Sequence, residues 1–143
     1  MKLFKILSHP YTLIISFLMI LISGQHLGGF YMFYILLALP HGGVHSLFAL
    51  AGIIILLINY NQHDNEKRSN IKMLLNLSGL AFLLVSIVLF FLNDRQHYNW
   101  DTFQQIIPIS TLLLFIVIAS CFLLKTTGVM PGFGKRNHRV SKA

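Results

Sequence analysis

Apolar and polar positions fall into long blocks along this chain rather than into short alternations. Four apolar blocks stand out: about 6–23, 40–60, 71–92 and 106–124. Each is close to the ~20 residues that an α-helix needs to cross a ~30 Å hydrocarbon layer. The polar stretches 61–70 (NQHDNEKRSN) and 93–105 (NDRQHYNWDTFQQ) show no apolar periodicity and read as solvated connectors. The pattern predicts an all-α integral membrane protein with four transmembrane helices, one polytopic domain and a basic tail over 126–143.

The block 24–39 fits this scheme least well. Its apolar and aromatic part, 30–39, covers ~15 Å as a helix, about half a membrane. One unbroken helix from Gly29 to Asn59 would be ~46 Å long and would need a tilt of ~50°, beyond the observed range of about 0–40°. The aromatic segment 28–39 therefore either extends the second helix from residue 29 through a bend at Pro40, or lies apart at the outer interface. Phe30, Tyr31, Phe33 and Tyr34 suit the headgroup level.

The second block, 40–60, carries the densest set of small residues. Proline suits a first helical position, so the helix is expected to open at Pro40. At ~100° per residue, His41, Gly42, His45, Ser46, Ala49 and Gly52 then share one side, within roughly 140° of arc. Small residues let a second backbone approach closely, a main source of helix association in lipid. Gly42, Ser46, Ala49 and Gly52 are thus expected to form a packing face, and Asn76 in the third block to donate an interhelical hydrogen bond. Gly42 and Gly43 are the alternative site of a helix-entry bend.

Composition supports the membrane class: 55% of residues are hydrophobic and 10% are charged, with a mean hydropathy of +0.70. The net charge of +7 does not point to nucleic acid, because the basic residues sit at the ends of apolar runs. With both termini on one side, that side collects Lys2, Lys5, Lys67, Arg68, Lys72, Lys125, Lys135, Arg136, Arg139 and Lys142, leaving Arg95 alone opposite. This bias predicts cytoplasmic termini in a cell (inner) membrane. The tail is expected to meet anionic lipid. A first helix retained after synthesis is expected over a cleaved signal peptide, since Ile22–Gly24 matches a small-x-small cleavage site poorly.

Chemistry is sparse. The acidic residues, Asp64, Glu66, Asp94 and Asp101, all lie in connectors. No carboxylate is therefore available inside the bilayer for an ion-coupled transporter or for paired-carboxylate catalysis. The single Cys121 excludes an intramolecular disulfide and a CxxC metal site. The histidines remain. On a continuous helix His41 and His45 are one turn apart and could share a metal ion, with His26, His97, Asp94 or Asp101 completing the set at the outer rim. They cannot supply both axial ligands of one haem, which approach from opposite faces. Three readings of the pair follow: a structural hydrogen bond from His45, a metal or haem site, and a quinone or lipid-headgroup contact.

The leading expectation is a non-enzymatic small multi-pass protein, without a cofactor. It would act through helix–helix contacts with another membrane protein or itself as an accessory, assembly or immunity factor. The competing class is a redox, metal-, haem- or quinone-binding membrane protein that uses the outward histidines.

Overall fold

The computed structural model describes residues 2–24, 28–61, 69–94 and 97–128. The chain is mostly helical, and three helices are long and apolar enough to cross a membrane. They are α4 (Val44–Asn61), α5 (Ser69–Asn93) and α6 (Ile106–Thr126). Ahead of them run α1 (Lys2–Leu7), α2 (Pro10–Leu18), the short strands β1 (Leu21–Ile22) and β2 (Gly29–Phe30), and α3 (Tyr31–Ala38). The tail 126–143 lies outside the described residues beyond Gly128.

The first apolar block does not form one helix over 6–23. α1 stops at Leu7, and a turn at Ser8–His9 precedes Pro10, whose missing N–H suits the first position of α2. α2 ends at Leu18, and the chain continues extended. Its polar backbone is satisfied by partners elsewhere. Leu21 N–H donates to Thr111 Oγ1 at 2.9 Å, and Ser23 N–H to Thr102 Oγ1 at 2.9 Å. Tyr31 N–H donates to the Ile20 carbonyl at 2.7 Å, beside an antiparallel β1–β2 pair. Non-helical backbone survives at membrane depth only where protein supplies such partners. Leu13, Phe17, Ile20 and Ile22 are buried here, and Phe17 meets Phe115 of α6 with ring centroids 5.7 Å apart.

The second block also starts differently. Pro40 belongs to a 3₁₀ turn, Leu39–His41, that closes α3. Leu39 stays in the right-handed helical region, but Pro40 cannot donate a backbone hydrogen bond. Gly42 then takes φ +68°, its N–H bonding the Leu39 carbonyl, while Gly43 N–H reaches the Ala38 carbonyl at 2.9 Å. These two bonds and the left-handed glycine form a Schellman-type helix end. α4 begins only at Val44. The aromatic segment is thus a separate short helix, and 28–39 does not extend α4.

α4 and α5 form the tightest pair. Ser46, Ala49, Gly52, Leu56 and Asn59 make the buried face of α4. Opposite them, a Cβ at Gly79 would lie 2.7 Å from Leu56 Cγ, and one at Gly52 would lie 2.9 Å from the Gly79 carbonyl oxygen. The backbones meet glycine against glycine. Gly42 lies apart from this face, exposed, with nothing within 4 Å of a Cβ placed on it.

Candidate functional site

Polar side chains inside the bundle collect at two levels. The first level joins α3, α4 and α5. Ser86 Oγ donates to the His45 carbonyl at 2.7 Å, which uses its only proton. Across the 2.9 Å contact between the hydroxyls Tyr31 is then the donor, and its O–H is shared with the Ser86 carbonyl at 3.1 Å. Tyr31 is almost fully buried, and its ring meets Phe17 at 5.3 Å and Phe90 at 5.2 Å, both edge to face. A donor chain from Tyr31 through Ser86 to the α4 backbone thus ties three helices together inside an aromatic wall.

His45 sits in that wall. Its ring lies edge to face with Phe90 at 5.3 Å and 6.4 Å from Tyr31. The Tyr34 backbone carbonyl faces the imidazole, yet Nε2 is buried with no hydrogen-bond partner. The helix end at Gly42 separates His41 from His45. His41 is exposed on the 3₁₀ turn, where its Nδ1–H donates to the Leu37 carbonyl at 2.9 Å. One residue faces the core and the other solvent, so the shared helical face of the two histidines is not formed.

The remaining candidates disperse. His97 is exposed at φ +56° and stacks edge-on against Trp100 at 4.5 Å. The Asp94 carboxylate accepts from the backbone N–H groups of Tyr98 and Asn99, at 3.1 and 2.6 Å, which folds the loop between α5 and α6. Asp101 lies in the 3₁₀ turn Trp100–Phe103. His26 falls outside the described residues. Among the described residues no three His, Cys, Asp or Glu side chains gather where a metal could sit.

No protein family, no curated protein and no solved structure matches this chain. Function must be read from geometry alone.

The second polar level lies toward the other end of α4 and α5. Asn59 Nδ2 donates to Asn76 Oδ1 at 2.6 Å and to the Lys72 carbonyl at 2.9 Å. Asn76 therefore accepts the interhelical bond rather than donating it. Asn59, Gly79 and Ser86 are not singled out by the sequence reading, and Tyr31, expected at the headgroup level, is buried in the bundle. A signal existed for two of them: Gly79, Leu83, Ser86 and Phe90 recur at helical spacing, which marks one face of α5.

The other seam of α5 is different in kind. Between the C-terminal half of α5 and the N-terminal half of α6 lies an apolar groove of about 530 Å³. Val88 and Phe91 of α5, Ile116 of α6, and Trp100 and Phe103 at the mouth line it.

Proposed function

We infer that this is a small membrane protein that acts by holding a transmembrane helix of a partner protein, in an accessory, assembly or immunity role. One observation carries the reading. The polar groups inside the bundle are spent almost entirely on binding its own helices together, while the α5–α6 seam is left open and lined by carbon. Between helices in lipid there is no hydrophobic drive, so association depends on shape. A groove between two spans supplies shape, and its depth in the hydrocarbon region suits another span rather than a soluble chain.

The same reading takes the topology to be four crossings with both termini cytoplasmic. Nine helical residues of α2 and the four from Ile20 to Ser23, after the turn at Met19, reach up to ~27 Å, close to the hydrocarbon thickness, as a helix continued by a strand. The basic bias toward one side supports the orientation. Reporter fusions at Asp64 and Ala143 should report cytoplasm and one at Asn99 the exterior; an exterior C-terminus overturns the topology.

Photo-crosslinking from position 88 in native membranes tests the function. A membrane protein should be captured, lost in Val88→Trp, which fills the groove, and retained in Leu50→Trp on the exposed face of α4. Capture of lipid alone, or equal retention in both variants, overturns it.

A second reading rests on a single atom, the buried His45 Nε2 without a partner. In a metal-, haem- or quinone-binding protein that nitrogen would serve a ligand. Purified protein should then show a Soret band, stoichiometric metal or bound quinone that disappears in His45→Gln. Without a ligand role no such signal should appear, and His45→Leu should cost about 1–2 kcal/mol, because it leaves the Tyr34 carbonyl that faces the imidazole without its donor.

A further inference from the structure

The ring of His45 fills the corner where α3 turns into α4. Gly43 makes the room: a Cβ there would lie 3.3 Å from His45 Cε1 and 2.7 Å from Ala38 Cβ. Phe90 of α5 packs edge to face on the imidazole at 5.3 Å and on the Tyr34 ring at 5.2 Å, so one phenyl ring touches both helices of the corner. The bond from the imidazole to the Tyr34 carbonyl is made by Nδ1, because Nε2 is buried without a partner. Nδ1 then carries the proton of the neutral ring, and Nε2 keeps a bare lone pair.

That arrangement suits the neutral ring alone. A second proton would go to Nε2, which has no acceptor, and among the described residues no charged side chain acts on the ring to offset it. Its titratable neighbours are Tyr31 and Tyr34 of α3; α5 contributes Phe90 and Ser86, and α2 reaches the cluster only as Phe17 against Tyr31. An enclosed charge without a partner costs far more than an enclosed neutral group. The helix on the other side of the corner is lightly held. Of the eight residues of α3 only Tyr31 and Ile35 are buried, and Phe33, Leu36 and Leu37 are at least half exposed. Just past its C-terminal end the chain turns at Gly42, exposed at φ +68° with open space around it.

We propose that His45 is a proton-operated latch: the neutral ring pins the C-terminal half of α3 against α5, and its protonation releases that half and uncovers Phe90. Tyr31, bonded to Ser86 and to the Ile20 carbonyl, keeps the other end of α3 in place. The direction follows from where the second proton can sit. Only the released form hydrates Nε2 and takes that proton. Lowering the pH through the ordinary imidazole range, near 6.5, therefore draws the chain toward release, and above that range pH has no effect. One proton per event sets the steepness at up to tenfold in the ratio of released to held chains per pH unit. The latch sits on the α4 side of α5 and does not rest on the helix-binding reading of the α5–α6 groove.

The test uses the full chain with Cys121→Ser, in neutral detergent with EDTA, so that no metal occupies Nε2. Spin labels at Leu37→Cys on α3 and Leu92→Cys on α5, both exposed positions, report their separation by double electron–electron resonance between about pH 8 and pH 4.5, on either side of the imidazole range. One separation is expected at the alkaline end. A second should appear below about pH 6.5, its ratio to the first rising up to tenfold per pH unit. His45→Asn keeps a donor for the Tyr34 carbonyl but takes up no proton, so it should hold the alkaline separation throughout; His45→Gln serves if that chain fails to fold. His9→Gln, His41→Gln and His97→Gln should respond as the parent does. A parent whose separation never changes overturns the proposal. So does an unaltered pH response in the His45 variant, or its loss in one of the other three.

Discussion

α5 has two neighbours in the membrane and meets them in opposite ways. Against α4 it is closed: Gly79 faces Gly52, and Leu83 and Leu56 interlock around them. Against α6 it is open over its C-terminal half, where Val88 and Phe91 line the groove. Both seams are apolar, so hydrophobicity does not distinguish them. The difference lies in side-chain size and hydrogen bonding. Two glycines bring the α4 and α5 backbones close enough for Ser86 and Asn59 to bond across. α6 offers α5 no glycine, and its hydroxyl at Thr111 is turned to the extended segment at Leu21.

The comparison can be broken most directly at the glycines. Gly52→Leu or Gly79→Leu would press a large side chain onto backbone or onto Leu56, at a cost of roughly 3 kcal/mol or more. Loss of the monodisperse species in detergent, by fluorescence-detected size exclusion, is the expected result. Unchanged assembly would mean that the glycine contact does not hold the pair.

The polar clamp comes next. Ser86→Ala removes the bond to the His45 carbonyl and leaves the Tyr31 hydroxyl only the Ser86 carbonyl, 3.1 Å away, and is expected to cost about 1–2 kcal/mol by thermal denaturation, near the top of the range for interhelical bonds in lipid. Tyr31→Phe should cost less. The double variant should cost less than the sum, because both changes remove the same bond. Strict additivity would show that the two hydroxyls are not coupled.

On the open seam the expected effect on stability is small. Val88→Ala should stay within about 0.5 kcal/mol, as a substitution on an exposed face does. A loss comparable to that at Ser86 would indicate that the groove closes in the membrane. Ile54→Leu, on the exposed side of α4, sets the baseline and should be silent in the same assay.

Parts of the closed seam are legible in the amino-acid pattern. Ser46, Ala49 and Gly52 stand on one helical side by spacing alone, and Asn76 is conspicuous as an amide within an apolar run. Their partners are not legible in the same way. A lone Gly79 or Ser86 in a 22-residue apolar block has no local feature that says which neighbour it meets. The histidine pair misleads for a related reason. Its one-turn spacing has meaning only on a continuous helix, and the turn at Leu39–Gly42 places the two residues on separate elements. Pro40 followed by two glycines carries a signal for that turn, as a helix end, which the length of the apolar run outweighs.

The sequence by itself determined the membrane class and the long apolar blocks that become α4, α5 and α6. Those depend on hydrophobicity and charge summed over local windows, and neighbouring segments do not alter the sums. The tertiary structure alone decided that the first block is a helix continued by a strand. An apolar run of that length suits either form, and the choice turns on whether Thr102 and Thr111 are present to receive the backbone N–H groups. It also decided which seam of α5 closes and which stays open. Hydrogen bonds and close backbone contacts join residues far apart in the chain, so their pairing exists only once the helices have met.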